Sequence, residues 1–319
     1  FAPSLRRRIE MDVIVTILTA AVRSGTPILY ATLGEILTEK SGVMNLGLEG
    51  LMLIGALTGF WTASVTGNPA LAIAAAFFVG MVVTVVHAFL CISLGANQVV
   101  SGLALTMFGT GASSLLGRGM IGETIKGLKA VPVPYLSKIP VIGEVLFSQD
   151  VLVYASYFLV IFIAWFLNLT RAGLNLKAVG EDPHVVESVG LNPVRLRYFY
   201  TLVGGGLAAV GGAYLSVAYT KMWGDQMSAG RGWIAVALVI FAVWGPMRAA
   251  FGAYLFGGVG ALQLRIQAAG TSIPAPLLLM LPYLFTIFVL LVISMRKKHG
   301  IVLGTPSALG VPYQREERT

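Results

Sequence analysis

Charged residues and cysteines are scarce in this chain of 319 residues, and each scarcity excludes a class of protein. Only 11% of the residues are charged, whereas a soluble domain carries about 25%, and 56% are hydrophobic. The single cysteine, Cys91, excludes an intrachain disulfide and a cysteine-based metal cluster. The composition therefore indicates an integral membrane protein.

Catalytic and cofactor-binding motifs are also missing. The histidines at 87, 184 and 299 form no zinc-protease motif, and no GxSxG nucleophile elbow occurs. The glycine- and lysine-bearing run at 122–129 lacks the Lys-Ser/Thr ending of a phosphate loop, and the glycines at 204–212 follow no predicted strand. We therefore predict that the chain is not an enzyme, binds no metal or cofactor and does not hydrolyse ATP itself.

The formal net charge of +8 does not indicate a nucleic-acid partner. The basic residues lie in loops and tails between apolar stretches, where they set membrane topology. No basic patch is interleaved with aromatic residues in the manner of a nucleic-acid-binding surface. We expect membrane lipid, and no nucleic acid, to surround this chain.

Apolar stretches recur along the chain with the length of membrane helices. They predict an all-α, polytopic transmembrane helix bundle of eight to ten spans, with nine as the best estimate. Residues 1–11 form an N-terminal segment, 12–295 the transmembrane domain, and 296–319 a polar, loosely ordered tail. The nine predicted spans are 12–38, 51–65, 70–93, 98–117, 150–170, 198–220, 233–245, 249–268 and 275–295.

Several predicted spans carry polar interruptions. Residues 23–27 interrupt the first span, a polar patch at 37–50 follows it, and residues 95–97 mark another break. Lipid would leave the backbone groups of a broken helix unpaired, so such breaks are expected only where the backbone lines a cavity or packs against protein. The interruptions therefore favour a transporter, although a membrane scaffold stays open.

The distribution of basic residues predicts the orientation. Basic residues within 171–197 and at 296–298 place both segments, and with them the C-terminus, in the cytoplasm. Counting back through nine spans places the arginines at 6–8, and the N-terminus, outside. The proline-bearing loop at 118–149 is then external and is expected to cover one mouth of the protein.

A capped polar segment lies between two spans, and we call residues 180–190 the knob. Asp182 and Pro183 have the residue types of an N-cap and a first helical position, and Gly190 suits a left-handed C-cap. A short helix of about two turns is expected here. Two interpretations stay open: a handle for a soluble partner, and an ordinary amphipathic loop helix.

A small set of residues within or beside the spans are candidates for lining a path through the membrane. They are Asn45, Glu49, Asn97, Gln98, Ser101, Trp223, Gln263 and Gln267. Most of them also have a structural interpretation. Glu49 could be an interfacial carboxylate at a helix end, and the residues at 97–101 could be helix caps. The two glutamines could form interhelical hydrogen bonds, and Trp223 could belong to an interfacial belt.

Five runs of sequence, in this order, resemble a known family. They are SGVMNLGLEGLMLIGAL, GANQVVSGLALTMFG, GLNLKAVGEDPHVVESVGLNPVRLRYFYTLVGGGLAAVGGAYLS, AGRGWIAVALVIFAVWGP and GAYLFGGVGALQLRIQA. The family comprises the permease subunits of bacterial ABC importers of the ribose and branched-chain amino-acid class, nearest to the simple-sugar and nucleoside permeases. The resemblance covers about residues 20–295.

The resemblance implies a helical permease in the bacterial inner (cytoplasmic) membrane. It further implies ABC ATPase subunits that hold ATP and Mg, a second and usually different permease, and an extracytoplasmic substrate-binding protein. The knob matches the family's coupling helix, which docks on the ATPase. Its implied coupling residues are Gly180, Glu181, Asp182, Pro183, His184, Glu187 and Gly190, with the four charged or imidazole side chains forming the exposed face.

The function expected from this resemblance is import of a nucleoside or a similar small polar solute, such as a simple sugar or a riboflavin-like compound. The extra N-terminal span of ribose-type permeases has no counterpart here, which favours an external N-terminus. Two alternatives stay open: a secondary transporter driven by an ion gradient, and a non-transporting scaffold. The absence of a clear inverted repeat and the small number of intramembrane charges disfavour the first.

Overall fold

The computed structural model describes residues 3–268, 270, 273–274, 277–278, 280–297 and 304–314. These residues are mainly α-helical, and their only strand-like pairings are three isolated bridges. The helices are α1 (Pro3–Lys40), α2 (Leu48–Thr66), α3 (Pro69–Ala88), α4 (Gln98–Gly117), α5 (Ile142–Phe147), α6 (Val151–Leu169), α7 (Arg171–Glu181), α8 (Pro183–Ser188), α9 (Pro193–Tyr214), α10 (Arg231–Phe241), α11 (Pro246–Ala268) and α12 (Leu281–Lys297). Single π-helical turns extend α3 through Phe89–Ser93 and α9 through Leu215–Tyr219.

Seven helices of the described chain are long and apolar enough to cross a bilayer, which takes about 20 residues. They are α1, α2, α3, α4, α6, α9 and α11. α10, with 11 residues, and α12, with 17, are shorter. The predicted all-helical membrane bundle is confirmed, and each predicted span corresponds to one helix. Nine complete crossings remain a prediction.

The first helix runs without a break through its predicted interruption. α1 contains 38 residues and keeps Pro27 in its interior. Proline removes one backbone hydrogen bond, which membrane helices tolerate when neighbouring helices and hydroxyl side chains support the turn. Thr26 donates its hydroxyl to the carbonyl of Val22 at 2.8 Å, and Gly25 lies against the backbone of Ala253 in α11. The expected interruption at 23–27 was therefore wrong, because packing stabilises the turn.

α9 lies at the centre of the bundle, where it packs against α1, α2 and α3. Its small residues allow backbones to approach closely: a Cβ added to Gly204 would collide with Thr38, and one added to Gly212 would collide with the carbonyl of Met52. Other glycines of the same helix touch α3 in the same way. The glycine-rich stretch is thus a packing surface.

The polar patch after α1 lies inside the bundle, as the break in the sequence predicted. Residues 41–47 join α1 to α2 beside the start of α4. The backbone N–H of Met44 donates to Oε1 of Gln98 at 2.7 Å, and the carbonyl of Leu46 accepts from Oγ1 of Thr106 at 2.9 Å. Side chains of α4 therefore pair the polar backbone that lipid would leave unpaired.

The two ends of the bundle differ. α1 ends at Lys40, whose carbonyl touches Gly180 of the knob, so we call this the knob end. At about 1.5 Å per residue, α1 exceeds a hydrocarbon core of about 30 Å, which places its start at the far end. The loop 118–149 is also at the far end, where the N–H of Ile125 donates to the carbonyl of Lys221 at 3.0 Å.

Part of the C-terminal tail is folded onto the knob end. Residues 304–314, which we call the strap, hydrogen-bond to the end of α1, to α7 and α8, and to α9. The loose order expected for the tail was wrong for these residues, because their backbone groups have partners on the bundle. Residues 298–303 and 315–319 of the predicted tail lie outside the described residues.

Candidate functional site

The knob contains a short helix with the predicted caps. In α8, Oδ1 of Asp182 accepts the backbone N–H groups of His184 at 2.8 Å and Val185 at 3.4 Å. Pro183 is the first helical residue, and Gly190 has the left-handed φ of +83°. Asp182 thus accepts backbone N–H groups that the first turn of α8 leaves unpaired, and Gly190 allows the chain to reverse after the last turn. The local structure predicted for the knob is confirmed.

The helix before the knob was not predicted. α7 begins after Thr170, whose hydroxyl accepts the N–H of Gly173 at 3.0 Å, and it ends at Glu181. Its buried residues, at 173, 176, 179 and 180, recur at helical spacing. That periodicity was visible in the sequence but was obscured by the neighbouring span. A side chain at Gly180 would collide with the carbonyl of Lys40, so this glycine allows α7 to pack on α1.

The outward surface of the knob is more apolar than predicted. Val186 is buried, whereas Val185 is 55% exposed and Val189 is 70% exposed. These two residues are one helical turn apart and therefore share a face. The knob therefore presents two adjacent apolar side chains outside the long apolar helices.

The polar residues predicted for that surface have partners within the chain. Oε2 of Glu181 accepts from the N–H and hydroxyl of Ser307, and Oε2 of Glu187 accepts from the hydroxyl of Tyr313 at 2.6 Å. The ring of His184 meets the ring of Tyr313 edge-on at 5.0 Å. Glu181, Asp182 and His184 are exposed, and Glu187 is half-buried. Glu181, Glu187 and His184 therefore already contact the strap, and a partner that binds the knob would meet them in that arrangement.

A cavity of about 660 Å³ lies within the bundle among α1, α2, α4, α10, α11 and α12. Aromatic rings of Trp233, Phe256 and Tyr283 line it, together with the amide of Gln263. Its volume is in the range of small-molecule sites, about 300–1,000 Å³. A mostly apolar wall with a few polar groups can bind a small polar ring compound.

The carboxylate of Glu49 lines this cavity and also holds α10 in place. Its Oε1 accepts the hydroxyl of Ser228 at 2.5 Å and the N–H of Gly230 at 2.8 Å, and its Oε2 accepts the N–H of Gly232 at 2.7 Å. A carboxylate at a helix N-terminus pairs free donors and is favoured by the helix dipole. Both oxygens therefore already have protein partners.

Gln263 and Glu49 are the predicted path residues that line the cavity. The amide and hydroxyl groups near the start of α4 lie at the knob end instead. Asn97 caps α4 by accepting the N–H of Val100 at 3.1 Å, and Gln98 binds Met44 as described above. The hydroxyl of Ser101 is 2.9 Å from Nδ1 of His87. These contacts fit the capping and packing interpretation, and a role in the path stays a prediction.

The remaining path candidates also lie away from the cavity lining. Asn45 is buried, with its side-chain oxygen accepting the N–H of Gly47 at 2.8 Å. Trp223 is buried at the far end, where its indole touches Gly117. Gln267 is half-buried, one turn beyond Gln263. For these three residues, too, contact with a substrate remains a prediction.

Several lining residues of the cavity were not among the predicted path candidates. Thr106 and Thr110 are one turn apart on α4, and Arg231 and Trp233 are on the first turn of α10. Thr106 lies five residues after Ser101, so the two threonines do not continue the face of α4 that carries Gln98 and Ser101, and that series could not have revealed them. The side chain of Tyr283 is brought to the cavity only by the packing of α12, so no local pattern could reveal it.

Comparisons with known proteins agree with this architecture. The family model described as the permease component of the branched-chain amino acid transport system matches residues 17–293. A putative glucose ABC transporter permease of Haloferax volcanii is 42% identical over 94% of this chain and 98% of its own length. A guanosine ABC transporter permease of Bacillus subtilis is 31% identical, with 97% and 99% covered. A nucleoside ABC transporter permease of Lactococcus lactis is 34% identical, with 90% and 93% covered.

No solved structure matches the chain. The family match covers most of the spans, and the coverage of each relative is almost complete, so the resemblance seen in the sequence motifs is confirmed. The chain belongs to the family of permease components of branched-chain amino acid-type ABC transport systems, in which ATP is hydrolysed by a separate subunit.

Proposed function

We propose that this chain is the permease subunit of an ABC importer for a nucleoside or a simple sugar, and that the bundle cavity forms its part of the substrate path. The relatives with glucose, guanosine and nucleoside permease names support this substrate class. The cavity supports it as well. Aromatic faces of Trp233 and Tyr283 suit a base or sugar ring, and the amide of Gln263 suits a hydroxyl or a ring nitrogen.

The knob is the proposed docking site for the ATPase. Val185 and Val189 form its apolar contact face, and the capped helix behind them carries the contact into α7 and α9. Rigid-body movement of the ATPase would displace α8 and with it the adjoining helices, changing which side of the membrane the cavity faces. The proposed coupling of ATPase movement to the membrane helices runs through this helix and involves residues 180, 181, 182, 183, 184, 187 and 190.

The proposed orientation places the knob in the cytoplasm of a cell with the chain in its cytoplasmic membrane. The strap is bound to the knob, so the C-terminal segment is placed on the same side. α1 then starts on the outer side, together with the loop 118–149, where a substrate-binding protein would dock. A second permease, different from this chain, is proposed to complete the path.

The observation that carries the coupling proposal is the exposed apolar pair on a capped helix at one end of the bundle. A cysteine cross-linking experiment tests it in the complete transporter. Val189→Cys is introduced into a Cys91→Ser background, and Val65→Cys, an equally exposed valine at the end of α2, is the matched control. We expect Val189→Cys to be labelled from the cytoplasm and to cross-link to the ATPase, and Val65→Cys to do neither. Labelling of Val189→Cys from outside the cell would overturn both orientation and coupling.

A further inference from the structure

The strap is fastened first to the end of α1. The ammonium of Lys40 donates to the carbonyl of Gly304 at 3.0 Å, and the N–H of Gly310 donates to the carbonyl of Gly42 at 3.2 Å. These bonds join residues that are more than 260 positions apart in the chain. Gly42 has a left-handed φ of +86° and closes the turn after α1. The strap is therefore attached directly to the end of the first membrane helix.

The same segment is fastened to the knob both before α8 and within its last turn. The N–H of Ala308 donates to the carbonyl of Gly180 at 2.9 Å, and the hydroxyl of Ser307 donates to Glu181 at 2.8 Å. Within the last turn of α8, the hydroxyl of Tyr313 donates to Glu187. Hydrogen bonds to ionised carboxylates are stronger than neutral ones. Glu181, just before α8, and Glu187, in its last turn, are therefore both attached to the strap.

The third attachment is to α9. Arg197 is only 1% exposed, and its Nη1 donates to the carbonyl of Val311 at 3.3 Å. A buried guanidinium needs acceptors, because leaving it unpaired is costly. Leu309 packs against the main hydrophobic core in addition. The strap is consequently part of the folded bundle at the point where α9 leaves the knob.

We propose that the strap is a positioning element of the coupling site, with Tyr313 as its main positioning residue. This inference rests on the proposed docking of the ATPase at α8. α8 has only six residues, and isolated helices of that length are unstable. Attachment through the strap keeps the orientation of α8 relative to α1 and α9 constant. Movement of the ATPase at the knob is then transmitted to the membrane helices and is not lost in bending of the loop.

The test compares hydroxyl deletions in the complete, reconstituted transporter. Tyr313→Phe and Ser307→Ala remove one hydroxyl each, and Tyr135→Phe is the matched control, because Tyr135 is exposed in the loop at the far end. The readout is the number of ATP molecules hydrolysed per solute imported. Loss of one hydrogen bond of ordinary net strength predicts a rise of about threefold to tenfold for Tyr313→Phe. Ser307→Ala should give a smaller rise, and Tyr135→Phe none.

A second measurement separates positioning from folding. The melting temperature and the amount of ATPase that co-purifies should be the same in Tyr313→Phe as in the parent. Glu187→Gln combined with Tyr313→Phe should raise the ratio no further than the larger single effect, because both changes act on one bond. Loss of stability at an unchanged ratio would overturn the inference, and so would an unchanged ratio with intact cross-linking of Val189→Cys. Failure of that cross-link in the parent would instead overturn the proposed docking.

Discussion

The knob and the cavity each depend on a short helix whose N-terminus is paired by a carboxylate, but the two carboxylates come from very different distances along the chain. Asp182 caps α8 by accepting an N–H two residues away. Glu49 accepts N–H groups at the start of α10 that are 181 and 183 residues away. The first arrangement is local and exposed, whereas the second is buried and ties three parts of the bundle together. We infer that Asp182 shapes a surface and Glu49 maintains the fold.

Glu49→Ala should have the largest effect. The change leaves the hydroxyl of Ser228 and the N–H groups of Gly230 and Gly232 without their acceptor in a buried site. We expect the free energy of unfolding to fall by at least about 3 kcal/mol, measured as a lower yield and melting temperature in detergent. Glu144→Ala, on an exposed residue, is the control. Normal stability with lost transport would mean that Glu49 acts on substrate instead.

Asp182→Ala should have a smaller effect on stability and a clear effect on coupling. Loss of an N-cap costs about 1 kcal/mol, and only the knob loses it. Uptake per ATP hydrolysed should fall severalfold in reconstituted vesicles, while the melting temperature changes little. Asp182→Asn retains the cap and should behave almost as the parent does. If the asparagine variant were as uncoupled as the alanine variant, charge and not capping would be the relevant property.

Gly190→Ala tests the other end of the knob. No atom lies within 4 Å of an added Cβ, so the cost comes only from the left-handed φ and should be about 1 kcal/mol. Gly224→Ala also adds a methyl group in open space but without a positive φ, and it serves as the matched control. We expect reduced coupling in the first variant only. Equal effects would exclude backbone conformation as the cause.

Gln263→Ala should have the smallest effect. It removes one amide from the cavity and should raise the KM for uptake by about fivefold without altering stability. Gln267→Ala removes the same group one turn later, outside the cavity lining, and should change KM less. Initial uptake rates over a range of solute concentrations distinguish the two. A larger effect at Gln267 would place the path on another face of α11.

The contrast between the two carboxylates also explains what the sequence could reveal. The caps at Asp182 and Gly190 are encoded by neighbouring residues, so the knob was predicted correctly. The role of Glu49 required knowing that α2 and α10 meet, which no local pattern contains. The same limit applies to Tyr283 in the cavity. Helix periodicity and composition predicted the bundle, whereas the continuity of α1 through Pro27 depended on packing with α11.

The strap shows a related limit. Residues 304–314 carry no helical periodicity and contain two glycines and two prolines, so loose order was the expectation for this part of the tail. Their order comes from hydrogen bonds to Lys40, Gly180 and Arg197, each on a different helix. Family membership, by contrast, was visible in several sequence motifs. It also decides against an ion-driven secondary transporter and a non-transporting scaffold.

The most direct test of the account is solute uptake into vesicles that contain the permease with and without its ATPase. Vesicles are loaded with ATP on the side of the knob, and accumulation of a radiolabelled nucleoside or sugar is measured in the presence of the binding protein. The account predicts accumulation only when ATPase and ATP are both present. Accumulation that persists without the ATPase would contradict it.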